Sequence, residues 1–383
     1  MIYLDNAATT MKKPSAVSRA VITALGESGG AGRGTHAAAA SAGETMFQCR
    51  EAAAALFGVT DPEKVVFTMN ATHALNIAIH SLSARRGDER CVISGYEHNS
   101  VYRPLVALEK RGLAIHVAKA QLFEPEMQVF AFEQALEKKT DFAVCTAVSN
   151  VFGYVLPFER IDELCYKKGV PLILDASQAA GAVKINLSKL KATQFVCLPG
   201  HKGLYGPQGT GLLLCKNGAK PLLYGGSGSD SLSPEMPDYL PDGLEAGTQN
   251  AHGIAGLLEG IRYVRRIGED AILKHEKSLI ADAVYALSGH PSIRPHTCEN
   301  QFCQSGALSV SFVGGDPERA AEYLADRGIC VRAGLHCAPL AHQTAGTHRL
   351  GTLRMSVSSF STRREVYRFA AELKNYMAGV MRR

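Results

Sequence analysis

The chain has 383 residues, 46% of them hydrophobic, enough to bury a substantial core and to form more than one domain. Its 41 lysines and arginines exceed its 36 acidic residues only slightly, and with no basic block a nucleic-acid partner is not expected. The opening MIYLDNAATTMKKP lacks the basic-then-apolar order of a secretory leader, and no stretch reaches the roughly eighteen apolar residues of a membrane span, so a cytoplasmic chain without a membrane partner is expected.

Taken in chain order, the first strong pattern is THAAAASAGETMFQCREAAAALFG, which reads as a helix with Met46, Cys49, Ala53 and Leu56 on one stripe, after a glycine-rich GGAGRG. From about residue 60 to 215, short β-rich runs alternate with helical patterns. The runs are VVFT (65–68), CVIS (91–94), FAVCTAV (142–148), PLILD (171–175), QFVCL (194–198) and GLLLC (211–215). ALNIAIHSL, VFAFEQALEKK and FERIDELCYKK are the helices between them. Strands apolar nearly throughout predict an α/β fold with a mostly parallel sheet covered on both faces, and ligands at the strands' carboxyl ends. Residues 216–250, rich in Gly, Ser and Pro, read as a surface excursion before a helix near 251–269. Strands ALSVSF and LRMSV with helices near 316–327 and 362–380 then suggest a smaller α+β lobe. The domain expectation is a large unit over 16–250 and a small one made of 1–15 and 251–383.

Ten cysteines lie at 49, 91, 145, 165, 197, 215, 298, 303, 330 and 337, without a C-x-x-C pair, and most sit in apolar runs as buried thiols. Cys337 differs, lying among small and polar residues in RAGLHCAPLAHQTAGT. GRGTHA (32–37) fits the dinucleotide pattern G-x-G-x-x-A but follows no strand, and GHKG lacks the spacing of a phosphate-binding P-loop.

Two residues at strand ends point to chemistry. Asp175 closes the apolar LILD, where a carboxylate faces the ligand crevice or caps the following helix. Lys202 follows the next strand among glycines, where desolvation lowers an amine toward Schiff-base reactivity, although most such lysines are merely solvated. A lysine for an imine and a carboxylate for a pyridinium nitrogen are the pair that a pyridoxal phosphate site needs.

The order YLDNAATT (3–10), NATHALN (70–76), YEHNS (96–100), VSNVFG (148–153), LDASQ (174–178), GHKGLYGPQGTG (200–211), LEAGT (244–248) and RAGLHC (332–337) resembles the class V, fold-type I pyridoxal-phosphate enzymes. It is most similar to their cysteine desulfurase and selenocysteine lyase branch. The resemblance implies a fold-type I transferase with pyridoxal 5'-phosphate on Lys202, which also moves the substrate Cα proton. It implies that Asp175 holds the ring nitrogen, that His98 stacks on the ring, and that Asn150 and Gln178 reach its phenolic oxygen. Ala71, Thr72, His73 and His201 would bind the phosphate, with Thr248 reaching the phosphate of a neighbouring copy in a homodimer. Arg354 would grip the α-carboxylate together with Asn150, and His36 would face the substrate mouth. Many relatives carry a hydroxyl residue where this chain has Pro199.

By the same resemblance Cys337 takes the sulfur of L-cysteine as a persulfide and passes it to an acceptor protein or thiol, with His336 and His342 near enough in sequence to favour the thiolate. Its alternatives are a structural thiol or a zinc ligand beside His336, His342 and His348. Two other activities stay open at this point: an aminotransferase or a selenocysteine or other β-lyase that does not use Cys337, and a silent scaffold.

Overall fold

A computed structural model of the protein describes residues 1–30, 34–84 and 87–381; Gly32 and Arg33 of the GRGTHA pattern lie outside the described residues. A two-residue strand, β1 (Ile2–Tyr3), pairs in parallel with Ile329–Cys330 late in the chain. The central sheet has seven strands: β2 (Val65–Thr68), β3 (Arg90–Ser94), β4 (Ala114–Ala118), β5 (Phe142–Thr146), β6 (Leu172–Asp175), β7 (Thr193–Pro199) and β8 (Gly211–Cys215). Their spatial order is β2-β8-β7-β6-β5-β3-β4. Only β8 runs against its neighbours.

Successive side chains of these strands go to opposite cores. Val66, Phe142, Val144, Ile173 and Leu213 pack on one face, and Phe67, Ala143, Cys145, Leu174 and Leu212 on the other. Both faces being covered by helices, the runs are apolar without alternation. Truncating one of these residues, as in Leu174→Ala, costs about 2–5 kcal/mol. The helix Ala251–Ile267 adds Ile254, Leu257, Leu258 and Ile261 to the second of these cores, which therefore extends past residue 250.

The smaller lobe is an antiparallel sheet of β9 (Ile293–His296), β10 (Ala307–Phe312), β12 (Arg332–Gly334) and β13 (Thr352–Ser356), with β11 (Ile329–Cys330) serving β1 instead. Helices Glu269–Leu287, Pro317–Ala325 and Arg363–Val380 cover it, with Leu279, Leu308, Val310, Leu324, Met355 and Phe369 in its core. The N-terminal Leu4 is buried in the same core, so the chain start is held in the small lobe. No helix among the described residues is long and apolar enough to cross a membrane.

Candidate active site

The carboxyl ends of β2, β3, β5, β6 and β7 open on one edge of the sheet. Asn70, Ala71, Thr72, His98, Thr146, Asn150, Asp175, Gln178, Pro199, His201 and Lys202 line a cavity of about 100 Å³ there. Strand geometry accounts for this gathering: each residue is the last of its strand, lies in the turn after it or opens the helix that follows.

Asp175 is the final residue of β6, buried, with Oδ1 accepting the Ser177 N–H at 2.9 Å. It therefore has a turn-capping bond as well as a place in the cavity. Burial lowers the Lys202 pKa to about 8 against the opposing pull of Asp175, and the nearby Arg354 charge adds to the drop. His98 caps the helix Asn99–Glu109, its Nδ1 accepting the Ser100 N–H at 3.0 Å. That bond leaves Nε2 as the protonated nitrogen. Burial brings the His98 pKa down to about 4, so the ring is neutral near pH 7.

The helix Ala71–Leu82 presents its N-terminus to the cavity, with Gly211 packed so closely that an added Cβ would lie 2.7 Å from the Asn70 backbone. One of the expected helix N–H donors, that of His73, is already engaged. The Asn70 side chain caps the helix by accepting the His73 N–H at 2.9 Å, leaving Ala71 and Thr72 to offer free N–H groups. His73 Nε2 is buried without a partner. His201 pairs with Thr9 through Nδ1 at 3.0 Å, while the Thr9 hydroxyl reaches the His201 carbonyl. With that hydroxyl proton used, Nδ1 donates to Thr9. Burial, with the Lys202 and Lys13 charges adding, brings the His201 pKa down to about 4, so the ring is neutral near pH 7. A neighbouring dianion would favour the protonated ring, in which Nε2 also donates.

Gln178 donates to the Ala7 carbonyl at 2.9 Å and Asn150 Nδ2 to the His336 carbonyl at 2.8 Å, so both amides hold protein segments as well as facing the cavity. Arg354 is buried on β13; Nη1 donates to the Asn150 carbonyl at 2.8 Å, Nη2 donates to Asp5 at 3.0 Å, and Nε has no partner. Asp5 also accepts from Arg332, Nε at 3.1 Å and Nη2 at 2.8 Å. Two guanidinium groups thus share one carboxylate, leaving a net positive charge suited to a carboxylate substrate. Neither Asp5 nor Arg332 was expected from the sequence. The hydrogen bond to Asp5 raises the Arg332 pKa, burial opposes it, and the neighbouring Cys337 is among the smaller causes that add to the rise.

Glu97 is a third residue not expected from the sequence. It is fully buried, Oε1 accepts the Thr146 N–H at 2.8 Å and Oε2 has no partner. Burial raises its pKa to about 8, with the Asp175 charge adding.

Cys337 is exposed and lies outside the cavity lining. His336 and Cys337 both have left-handed backbones, φ 49° and 55°, a strain of about 1–2 kcal/mol for each non-glycine residue. Three bonds hold the loop there: Asn150 to the His336 carbonyl, the Asn99 N–H to the Cys337 carbonyl at 2.7 Å, and His336 Nε2 to Thr352. The Cys337 backbone is therefore tied next to His98. The histidines differ from expectation: His336 and His342 are buried, bonded to Thr352 and Thr347, and burial lowers both pKa values. Neutral at pH 7, they supply no charge to a thiolate; the nearby cation is Arg332. Among the described residues no group of three or more His, Cys, Asp or Glu could hold a metal ion.

Thr248 is exposed and lines a separate pocket with His73, Met69 and Asn250, and within one chain it does not enter the Lys202 cavity. His36 is an exposed helix cap, its Nδ1 accepting the Ala39 N–H.

Residues 2–369 match the aminotransferase class-V family. The chain belongs to that family. A probable cysteine desulfurase of Methanothermobacter thermautotrophicus is 32% identical over 95% of this chain and 92% of its own length. One of Mycolicibacterium paratuberculosis is 30% identical over 99% of this chain but only 56% of that longer protein. Among solved structures, the apo cysteine desulfurase of Thermococcus onnurineus NA1 is 28% identical with a TM-score of 0.89, covering 99% of this chain and 95% of its own. The cysteine desulfurase CsdA of Escherichia coli is 25% identical with a TM-score of 0.87, covering 98% and 94%. The family depends on pyridoxal phosphate, and the site of this class-V chain fits that cofactor. An amine and a carboxylate face one cavity, the free N–H groups of Ala71 and Thr72 open on it for an anion, and His73, whose Nε2 is orphaned, lines the separate pocket with Thr248.

Proposed function

We propose that the protein is a pyridoxal-phosphate-dependent cysteine desulfurase that converts L-cysteine to L-alanine and carries the sulfur on Cys337. The observation that carries this reading is the cavity shared by Lys202, Asp175 and His98, with an exposed cysteine tied to its rim through Asn99. Lys202 would hold the cofactor's aldehyde carbon, Asp175 its ring nitrogen, His98 its ring, and Ala71, Thr72 and His201 its phosphate. Bound there, pyridoxal phosphate would supply the electron sink that makes the substrate Cα proton labile and accepts the electron pair left on Cβ when the C–S bond breaks, so that the sulfur can pass to a thiolate.

The residues of the chain do the rest. Arg354, already charged and oriented by Asp5, takes the substrate α-carboxylate. Lys202, with a pKa of about 8, removes and returns the Cα proton near neutral pH. Cys337 Sγ, as the thiolate, forms a bond to the substrate sulfur as the substrate's C–S bond breaks, giving an enzyme persulfide and, after protonation at Cβ, alanine. Its exposure suits delivery to an acceptor protein or thiol. L-selenocysteine offers the same handles and is a second candidate substrate. Thr248, exposed on a loop beside His73, supports a homodimer in which each chain completes the other's phosphate site.

The test is alanine formation from L-cysteine by the cofactor-loaded protein with a reductant present, beside Lys202→Ala. Alanine from the native protein alone supports the reading; no alanine from the native protein overturns it.

A further inference from the structure

Beyond the sulfur-transfer site, one pair of side chains has chemistry of its own. Cys298 and Cys303 are each 4% exposed, and their Sγ atoms lie 2.6 Å apart, well inside non-bonded contact, which is about 3.5–4.0 Å even for carbon atoms. Between them the chain makes a single turn, Glu299–Gln301, closed by the Gln301 N–H on the Cys298 carbonyl, with Gln301 in a left-handed conformation at φ 53°. The turn thus brings residues five apart in sequence into side-chain contact. No other acid, histidine or cysteine joins them in a metal-sized group among the described residues.

We propose that Cys298 and Cys303 are a redox-active dithiol that closes to an intrachain disulfide. Two S–H bonds break, one S–S bond forms, and the two protons and two electrons reduce one molecule of a low-molecular-weight disulfide, such as oxidised glutathione, to two thiols. A dithiol reverses the reaction. Exchange needs a brief opening of the turn, whose Glu299 and Phe302 are exposed, and so is slow.

The staple would fasten a wall of the active site. The Val155 N–H donates to the Cys303 carbonyl, and the Ser305 N–H donates to Gly153. Gln304, fully buried, donates to the Phe152 and Ala307 carbonyls. These bonds hold the hairpin around residues 149–155, which presents Asn150 to Arg354 and to the Cys337 loop.

The test is peptide mapping of the native protein equilibrated with mixtures of reduced and oxidised glutathione, quenched with acid and alkylated after denaturation. The expected result is that alkylation of 298 and 303 is lost together as the disulfide fraction rises, with a peptide lighter by two hydrogen atoms and full recovery with dithiothreitol. The seven buried thiols at 49, 91, 145, 165, 197, 215 and whichever of 298 or 303 remains in a single Cys298→Ser or Cys303→Ser variant should stay alkylatable. Continued alkylation of both residues at every mixture, or glutathione adducts on them in place of the crosslink, would overturn the proposal.

Discussion

Replacing Asp5 by Asn removes the one carboxylate that two arginines share. Arg354 lies 3.0 Å from it and Arg332 2.8 Å, and Asp5 and Arg354 are buried. Two charges about 4 Å apart attract by about 4 kcal/mol at an effective dielectric of 20, part of which desolvation offsets. Removing one partner of a buried pair costs about 3–5 kcal/mol, and Asn keeps a hydrogen-bond acceptor, so about 3 kcal/mol is expected. Because Asp5 bridges to Ser356 in the small lobe, this cost falls on that lobe's docking of the chain start and on the aim of Arg354. For a chain of 383 residues the midpoint shifts by roughly 1.2 °C per kcal/mol, so the apo-protein's thermal midpoint should fall by about 4 °C. The kcat/KM for L-cysteine should fall by about tenfold to a hundredfold, mostly through KM, since in the proposed role Arg354 would meet the substrate in ground and transition states alike. The assays are thermal denaturation at pH 7 and steady-state alanine formation. A variant within one degree and within twofold of the native protein would refute the account of a shared counter-charge.

Lys202 in the apo-protein should react with amine reagents along a pH curve centred near 8, against 10.5 for an ordinary lysine, and Asp175→Asn should move that midpoint lower because Asp175 opposes the burial effect. A midpoint above 10 would remove the desolvated base from the mechanism. Glu97→Gln tests the buried acid. The native group ionises at 4.5 when unfolded and near 8 when folded, so its contribution to stability is present below 4.5 and lost as pH rises toward 8. Relative to Gln, the native protein should therefore lose stability between pH 5 and 8, measured as a widening gap in thermal midpoint; parallel curves would show that Glu97 is ionised in the fold.

Six of the seven central strands were legible because both of their faces are buried, which leaves unbroken apolar runs. The seventh, β4, is AIHVA at a sheet edge, where exposure of Ala114 and His116 breaks the run. The helix Asn99–Glu109 was hidden by an internal Pro104. Asp175 and Lys202 stood out because they close or follow apolar strands, whereas His98 came only from the family resemblance of YEHNS; the fold places all three on one cavity. Asp5 was not: its partner Arg354 is 349 residues away, and only the fold brings them together. The histidines flanking Cys337 misled for a related reason. Nearness in sequence says nothing of side-chain direction, and the left-handed turn at 336–337 sends His336 inward while Cys337 faces solvent.

The central claim is that Cys337 is the atom-accepting residue. It is tested most directly by the mass of the Cys337 peptide after cofactor-loaded protein meets one equivalent of L-cysteine without reductant. The account predicts one added sulfur on that peptide for each alanine released, and neither product from Cys337→Ala. Alanine released at the native rate with the peptide unchanged would contradict it.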